Sequence, residues 1–208
     1  MGILNSNLMK YIPKILMACL AAVSLSSCAI GTTKIGVSHS PLQPVVSKHS
    51  GTIVVKQFTD SRKLEDKASI GNKRNGFGMV LGGFAIKGGK TVAQTMTEYV
   101  ADALKEAGYN AVVEGSGSSS DAAVLEGDVY EFWLDLFVAT WNNVGVDLKL
   151  RNRSGAVAWQ KKINSSETNV LWIGLNAEIE KVIRQAVDKA LNEAVKEFAS
   201  EDFASKVK

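Results

Sequence analysis

The sequence predicts an α+β two-layer sandwich, a mostly antiparallel sheet of about four to five strands covered on one face by two helices. Three observations carry that expectation. From about Asn176 to Phe198, apolar residues recur at helical spacing through Ile179, Val182, Ile183, Ala186, Val187, Ala190, Leu191, Ala194 and Val195. Between Ala123 and Ile163 the period shortens to that of a sheet; Val144, Val146, Leu148 and Leu150 alternate with Gly145, Asp147 and Lys149, as in a strand with one covered face. A second, shorter helical pattern opens at Thr91. Each amphipathic helix has one apolar face to bury, and a one-faced sheet provides the place.

Taken in order, Thr52–Phe58 is a β-branched run that reads as a strand, ended by Thr59-Asp60-Ser61-Arg62, whose Asp60 and Arg62 are expected to pair at the surface. Lys63 to Lys90 reads as a long irregular stretch with seven glycines from Gly71 to Gly89. Thr91 with Gln94 three residues on is a capping box. It opens a helix whose apolar face is Val92, Met96, Tyr99, Val100, Ala103, Leu104 and Ala107, and Gly108 stops it. Tyr109–Val113 is a short strand and Gly115–Ser120 a loop. Three strands follow, Ala123–Phe137, Val144–Leu150 and Ala156–Ile163, the last two joined by the turn Asn152-Arg153-Ser154-Gly155. The alternation slips near Glu131, which predicts a bulge or a strand apolar on both faces.

The opening residues have the order of an export signal. Lys10 and Lys14 precede the apolar run Ile15–Val23, which is too short to span a bilayer, where about 20 apolar residues are needed. Leu25-Ser26-Ser27-Cys28 then resembles the bacterial lipobox. The resemblance implies that residues 1–27 are a cleaved lipoprotein signal peptide and that Cys28 carries a diacylglyceryl thioether and an acylated amino terminus, enough chains for stable anchoring. No other cofactor is expected. Ala29 after the cysteine points to the periplasmic leaflet of the outer membrane, with the inner membrane as the alternative. Residues 28–50, rich in Ser, Thr, Gly and Pro, read as the lipidated amino terminus and a flexible tether, 51–200 as a single α+β domain and 201–208 as a tail.

Cysteine and histidine usage excludes several chemistries. Cys19 leaves with the signal and Cys28 is taken by lipid, so the mature chain forms no internal disulfide. His39 and His49 both lie in the tether, where they read as solvated spacer residues. From Gly51 onward there is neither His nor Cys, which removes Ser-His-Asp and Cys-His sites and the usual zinc sites. Cleavage removes two lysines and no acid from a formal net charge of +3, leaving nothing that suggests nucleic acid. Gly83 to Thr91 ends in Gly-Gly-Lys-Thr, but a P-loop needs its first glycine at the position of Phe84. No nucleotide is expected. Glu126, Asp128, Glu131 and Asp135 share one strand, a spacing that does not by itself make a carboxylate pair for glycoside cleavage.

The candidate binding surface is apolar. Phe77, Met79, Leu81 and Phe84 stand on a backbone loosened by glycines, and Trp133 and Phe137 belong to an aromatic-rich strand. Such residues either pack on their own core or face outward to a partner protein or lipid.

The lipobox, the early strand ending near Asp60-Ser61-Arg62, the helix closing in Ala107-Gly108-Tyr109, the strand opening Val124-Leu125-Glu126-Gly127, the hairpin Gly155–Trp159 and the long last helix together resemble the YajG-type family of bacterial lipoproteins. The insertion between Gly71 and Gly89 departs from it. The resemblance implies a periplasm-facing lipoprotein and transfers no catalytic residue. The expectation is a membrane-anchored, non-enzymatic accessory, assembly or docking factor whose partner is another envelope protein. The alternative is a carrier of a small apolar ligand or lipid, with a pocket enclosed by Trp133, Phe137 and Phe84; a hydrolase comes third.

Overall fold

A computed structural model describes residues 30–46, 49–115, 122–170 and 175–207; the lipobox Leu25-Ser26-Ser27 and Cys28 lie outside the described residues. Among these are nine strands, β1 (Thr33–Ile35), β2 (Thr52–Val55), β3 (Thr59–Asp60), β4 (Ser69–Arg74), β5 (Val80–Ile86), β6 (Asn110–Val113), β7 (Ala123–Leu136), β8 (Thr140–Arg151) and β9 (Val157–Asn169). The helices are α1 (Val92–Glu106), between β5 and β6, α2 (Asn176–Phe198) and α3 (Glu201–Lys206).

β7 organises the sheet. On one side it pairs antiparallel with β8, which pairs antiparallel with β9. The register slips between Val129 and Glu131, where the sequence alternation slips. On its other side β7 is flanked in succession by β2, β3 and β4, all parallel to it. β6 pairs parallel with β2, β5 antiparallel with β4, and β1 parallel with β5. The sheet is therefore mixed and nine-stranded, not a mostly antiparallel sheet of four to five strands. In the parallel half, β2 and β6 fall within segments that read as strands, whereas β1, β3, β4 and β5, of two to seven residues, are too short to show a period.

Glycines conceal the β4–β5 hairpin within the stretch that reads as irregular. A Cβ on Gly71 would stand 1.9 Å from the Leu134 carbonyl oxygen, and one on Gly82 would stand 2.0 Å from that of Gly31. Glycine here permits close approach of neighbouring backbone, one of the few reasons to place it inside a strand.

α1 and α2 cover one face of the sheet. α1 has the capping box read from Thr91 and Gln94, with Thr91 Oγ1 accepting from Gln94 N at 3.2 Å and Gln94 Oε1 accepting from Thr91 N at 2.9 Å. The core lies between helices and sheet and includes Ile53, Leu125, Leu134, Leu148, Leu150, Met96, Leu104, Val187 and Leu191.

Two segments assigned outside the domain belong to it. Residues 36–45, read as a flexible tether, run as a strap along α1 and α2. Gly36, Ser40 and Gln43 donate their backbone N–H groups to Glu180, Asp188 and Asn192 of α2, at 2.9, 2.7 and 2.8 Å. Tyr99 of α1 donates its hydroxyl to the Val37 carbonyl at 2.7 Å. Composition misled because Pro41 and Pro44 suit an extended strap as well as a free linker. His39 packs edge-on against Tyr99 with ring centroids 4.6 Å apart, and His49 Nε2 donates to the Ala199 carbonyl at 2.9 Å. Neither histidine is a solvated spacer. The tail forms α3, where Ser200 Oγ accepts from Phe203 N at 3.2 Å and Phe203 is wholly buried.

Candidate functional site

The topology gives the molecule two distinct ends. β7 finishes, β8 begins, β9 finishes and α2 begins at one end, where the β4–β5 turn also projects and Ile30 enters; this is the amino end. Nine of the eleven large apolar side chains that are exposed among the described residues lie there, with only Val46 and Val157 elsewhere. Phe77, 91% exposed, with Met79 and Val80 tips the β4–β5 turn. Phe137 and Val138, 37% and 71% exposed, tip the β7–β8 turn, and Trp141 follows at the start of β8. Val170 and Leu175 flank the passage from β9 to α2, and Ile30 precedes β1.

The β4–β5 turn is held in shape. Asn75 Oδ1 accepts from the backbone N–H groups of Phe77 and Met79, both at 3.0 Å, and Gly78 adopts φ +83°, a region that favours glycine. Behind it, Arg74 Nε and Nη2 donate to the Asp135 carboxylate at 2.8 and 3.0 Å, and Arg74 Nη1 reaches the Gly78 carbonyl at 3.2 Å. Arg74 and Asp135 behind the turn therefore neutralise each other.

Of the residues that the sequence singles out, Phe77, Met79 and Phe137 are exposed here, while Leu81 and Trp133 are half-buried. Phe84 is a correction: it is 1% exposed, facing the core. The register explains why. Gly71 lies between Phe84 and Leu134, so those two share the helix-covered face, and Trp133, one residue from Leu134, points to the other. Trp133, Phe137 and Phe84 therefore cannot enclose a common pocket. Val138 and Trp141 complete the surface; the signal that could find them is an apolar pair placed at a hairpin turn.

Asp60 and Arg62 also differ from expectation, since they pair in the interior. Arg62, 7% exposed, donates to both Asp60 oxygens at 3.0 and 2.7 Å and to the carbonyls of Ser69, Phe132 and Lys67. Burial alone would push the Asp60 carboxyl up, but the Arg62 hydrogen bonds and the charges of Arg62 and Lys67 outweigh it and hold Asp60 below the usual aspartate range. The pair ties β3, β4 and β7 together.

The helix-free face of the sheet is polar, and each candidate carboxylate on it has its own partner. Glu126 lies 3.2 Å from Lys56 Nζ and 2.8 Å from Arg151 Nε, which overcome the upward effect of burial and lower its pKa. Asp128 accepts from Thr59 and Ser61, Glu131 from Asn143 and Asp135 from Arg74. A cleft of about 340 Å³ beside Glu126 is lined by Lys56, Thr59, Asp128, Asp147 and Lys149. No group of three or more His, Cys, Asp or Glu side chains that could hold a metal ion is present among the described residues. No helix among them is long and apolar enough to cross a membrane.

No protein-family model matches the chain, and no curated protein matches it. Among solved structures, protein XCC0632 from Xanthomonas campestris, of family DUF330, is similar over 79% of this chain and 91% of its own, at 17% identity and a TM-score of 0.50. The minor lipoprotein from Acinetobacter baumannii is similar over 75% of this chain and 93% of its own, at 11% identity and a TM-score of 0.40. Lipoprotein GNA1162 from Neisseria meningitidis is similar over 65% and 96%, at 15% identity and a TM-score of 0.38. At 17% identity, the likeness to XCC0632 is one of fold.

Proposed function

We propose that the protein is a non-enzymatic lipoprotein, held on the periplasmic leaflet of the outer membrane through Cys28, whose domain docks on another envelope component as an accessory or assembly factor. The observation that carries this reading is that the exposed apolar side chains gather as a surface, and not a container, at the end where the anchored chain enters, which leaves the polar helix-free face turned toward other envelope components. The lipobox supplies the anchor, and the resemblance to YajG-type lipoproteins agrees with it. The carrier alternative loses its support with the pocket, because Phe84 and Trp133 lie on opposite faces of the sheet. The carboxylates imagined for hydrolysis each hold a structural partner, which favours binding over catalysis.

Cys28→Ser tests the anchor. The substitution is expected to release unlipidated protein from membranes or to block processing, read by mass spectrometry and fractionation; an unchanged mass and distribution refutes lipidation. Docking is tested by photo-crosslinking in intact cells from Lys162 on the helix-free face, with identification of the captured protein. Recovery of one defined envelope protein supports the proposal, and recovery of none removes it.

A further inference from the structure

Docking leaves open which surface meets the membrane, and the path of the chain decides it. Ile30 stands two residues after Cys28, so an extended backbone places the start of the described chain within about 7 Å of the lipid-bearing residue. From Gly31 onward the chain is fixed to the domain. Gly31 N donates to the Leu81 carbonyl at 3.1 Å, β1 pairs with β5 from Thr33, and the strap is bonded to α1 and α2 as far as Gln43. The long tether that would let the domain tumble away from its membrane does not exist over these residues. The anchor enters at the amino end, among the exposed apolar side chains.

We propose that the amino end is a membrane-contacting face: Phe77 and Met79 of the β4–β5 turn and Phe137 and Val138 of the β7–β8 turn enter the interfacial layer of the leaflet that holds the anchor. This inference rests on the lipid-anchored reading above. Lipid is favoured over a protein partner on three grounds. The two turns belong to different hairpins, and each carries its own exposed apolar tip, an arrangement that a fluid layer can receive. Trp141, half-exposed just behind the tips, has the amphipathic ring that belongs at headgroup level. Arg74 and Asp135 pair at 2.8 Å behind the turn, so insertion carries no bare charge from that position toward hydrocarbon. Lipid chains on Cys28 and apolar tips on the domain then act at one place, and two linked contacts hold more firmly than either alone. The strands β7, β8 and β9 stand upright on the membrane, and the helix-free face is turned sideways, open to a protein.

The test uses the full lipidated protein in vesicles of phosphatidylethanolamine and phosphatidylglycerol. With Cys28 alkylated by lipid and Cys19 removed with the signal, an introduced thiol is the sole one in the mature chain. Phe77→Cys, Val138→Cys and, at the opposite end, Ser154→Cys are each labelled with a solvent-sensitive fluorophore. A lipid spin-labelled at a shallow acyl position is expected to quench the probes at 77 and 138 several-fold more than the probe at 154, and an aqueous quencher to show the reverse order. Equal quenching at the two ends overturns the proposal. Shielding of position 77 in native membranes but not in pure lipid vesicles also overturns it and assigns the end to a protein. Mass spectrometry of the same sample separates this result from the anchoring reading: a lipidated mass with equal quenching overturns the membrane face alone, whereas an unlipidated mass overturns both.

Discussion

At the carboxyl end of the sheet, Trp159, Phe198 and Phe203 pack ring against ring, with centroids 4.9 to 6.1 Å apart, and Tyr109 adds an edge contact to Phe203 at 5.6 Å. At the amino end, Phe77, Phe137 and Val138 stand on turns in solvent. Both ends are made of turns and helix termini. The difference is that α3 folds back over the carboxyl end, bringing Phe203 and Val207 into the core, whereas no described element covers the amino end. Apolar area left in water forgoes roughly 25 cal/mol per Å². The fold seals one end and leaves nine large apolar side chains open at the other, which is the surface proposed above for contact.

The strongest way to break this comparison is to unseal the closed end. Phe203→Ala removes a wholly buried ring from the aromatic cluster and is expected to cost about 3–5 kcal/mol in chemical denaturation. A loss under about 1 kcal/mol would mean that α3 covers the carboxyl end without stabilising it.

Next in size is the lock beside β7. Arg62→Ala strands the Asp60 carboxylate in the interior and is expected to cost about 3 kcal/mol by the same measurement. Acid attacks the same pair. Because Asp60 titrates below its unfolded value of about 3.9, its contribution is complete above that pH and is lost as the pH falls through the lower folded value. An acid unfolding midpoint that is unchanged in Asp60→Asn would count against this.

Alkali tests the closed end more gently. Burial, with a smaller contribution from Glu201, pushes the Tyr109 phenol up to about 12. Its folded pKa therefore exceeds the unfolded value of about 10, so its stabilisation is full below pH 10 and fades as pH rises toward 12. Thermal midpoints measured across that window should fall less in Tyr109→Phe than in the unaltered protein. The smallest effect belongs to the open end, where Phe77→Ser combined with Val138→Ser should change stability by no more than about 0.5 kcal/mol. A larger destabilisation would show that these side chains support the fold and are not held out for contact.

Much of this architecture is legible in the residues. The capping box at Thr91 and Gln94 marks the start of α1, the spacing from Asn176 to Phe198 gives α2 its span, and the slip near Glu131 marks the bulge in β7. These are local signals, set by hydrogen bonds and side-chain periods within one segment. β1, β4 and β5 were not legible, because β1 and β4 also pair with strands far along the chain and Gly71 and Gly82 serve backbone that approaches from distant segments. Of the candidate surface, Phe77, Met79 and Phe137 were readable as apolar residues beside turn formers. Phe84 was not separable from them, since burial of a residue in a glycine-rich run depends on which face its strand turns inward.

The sequence by itself determined the two long helices, the long antiparallel strands, the absence of histidine and cysteine beyond residue 50, and a resemblance to the lipobox at Cys28. Only the tertiary structure decided that residues 36–45 form a strap, that Asp60 and Arg62 are interior, and that the chain enters at the apolar end. The first group follows from periods and composition along the chain. The second depends on which distant segments become neighbours, and backbone groups that look free in a linker find their partners only when α2 presents Glu180, Asp188 and Asn192 to them.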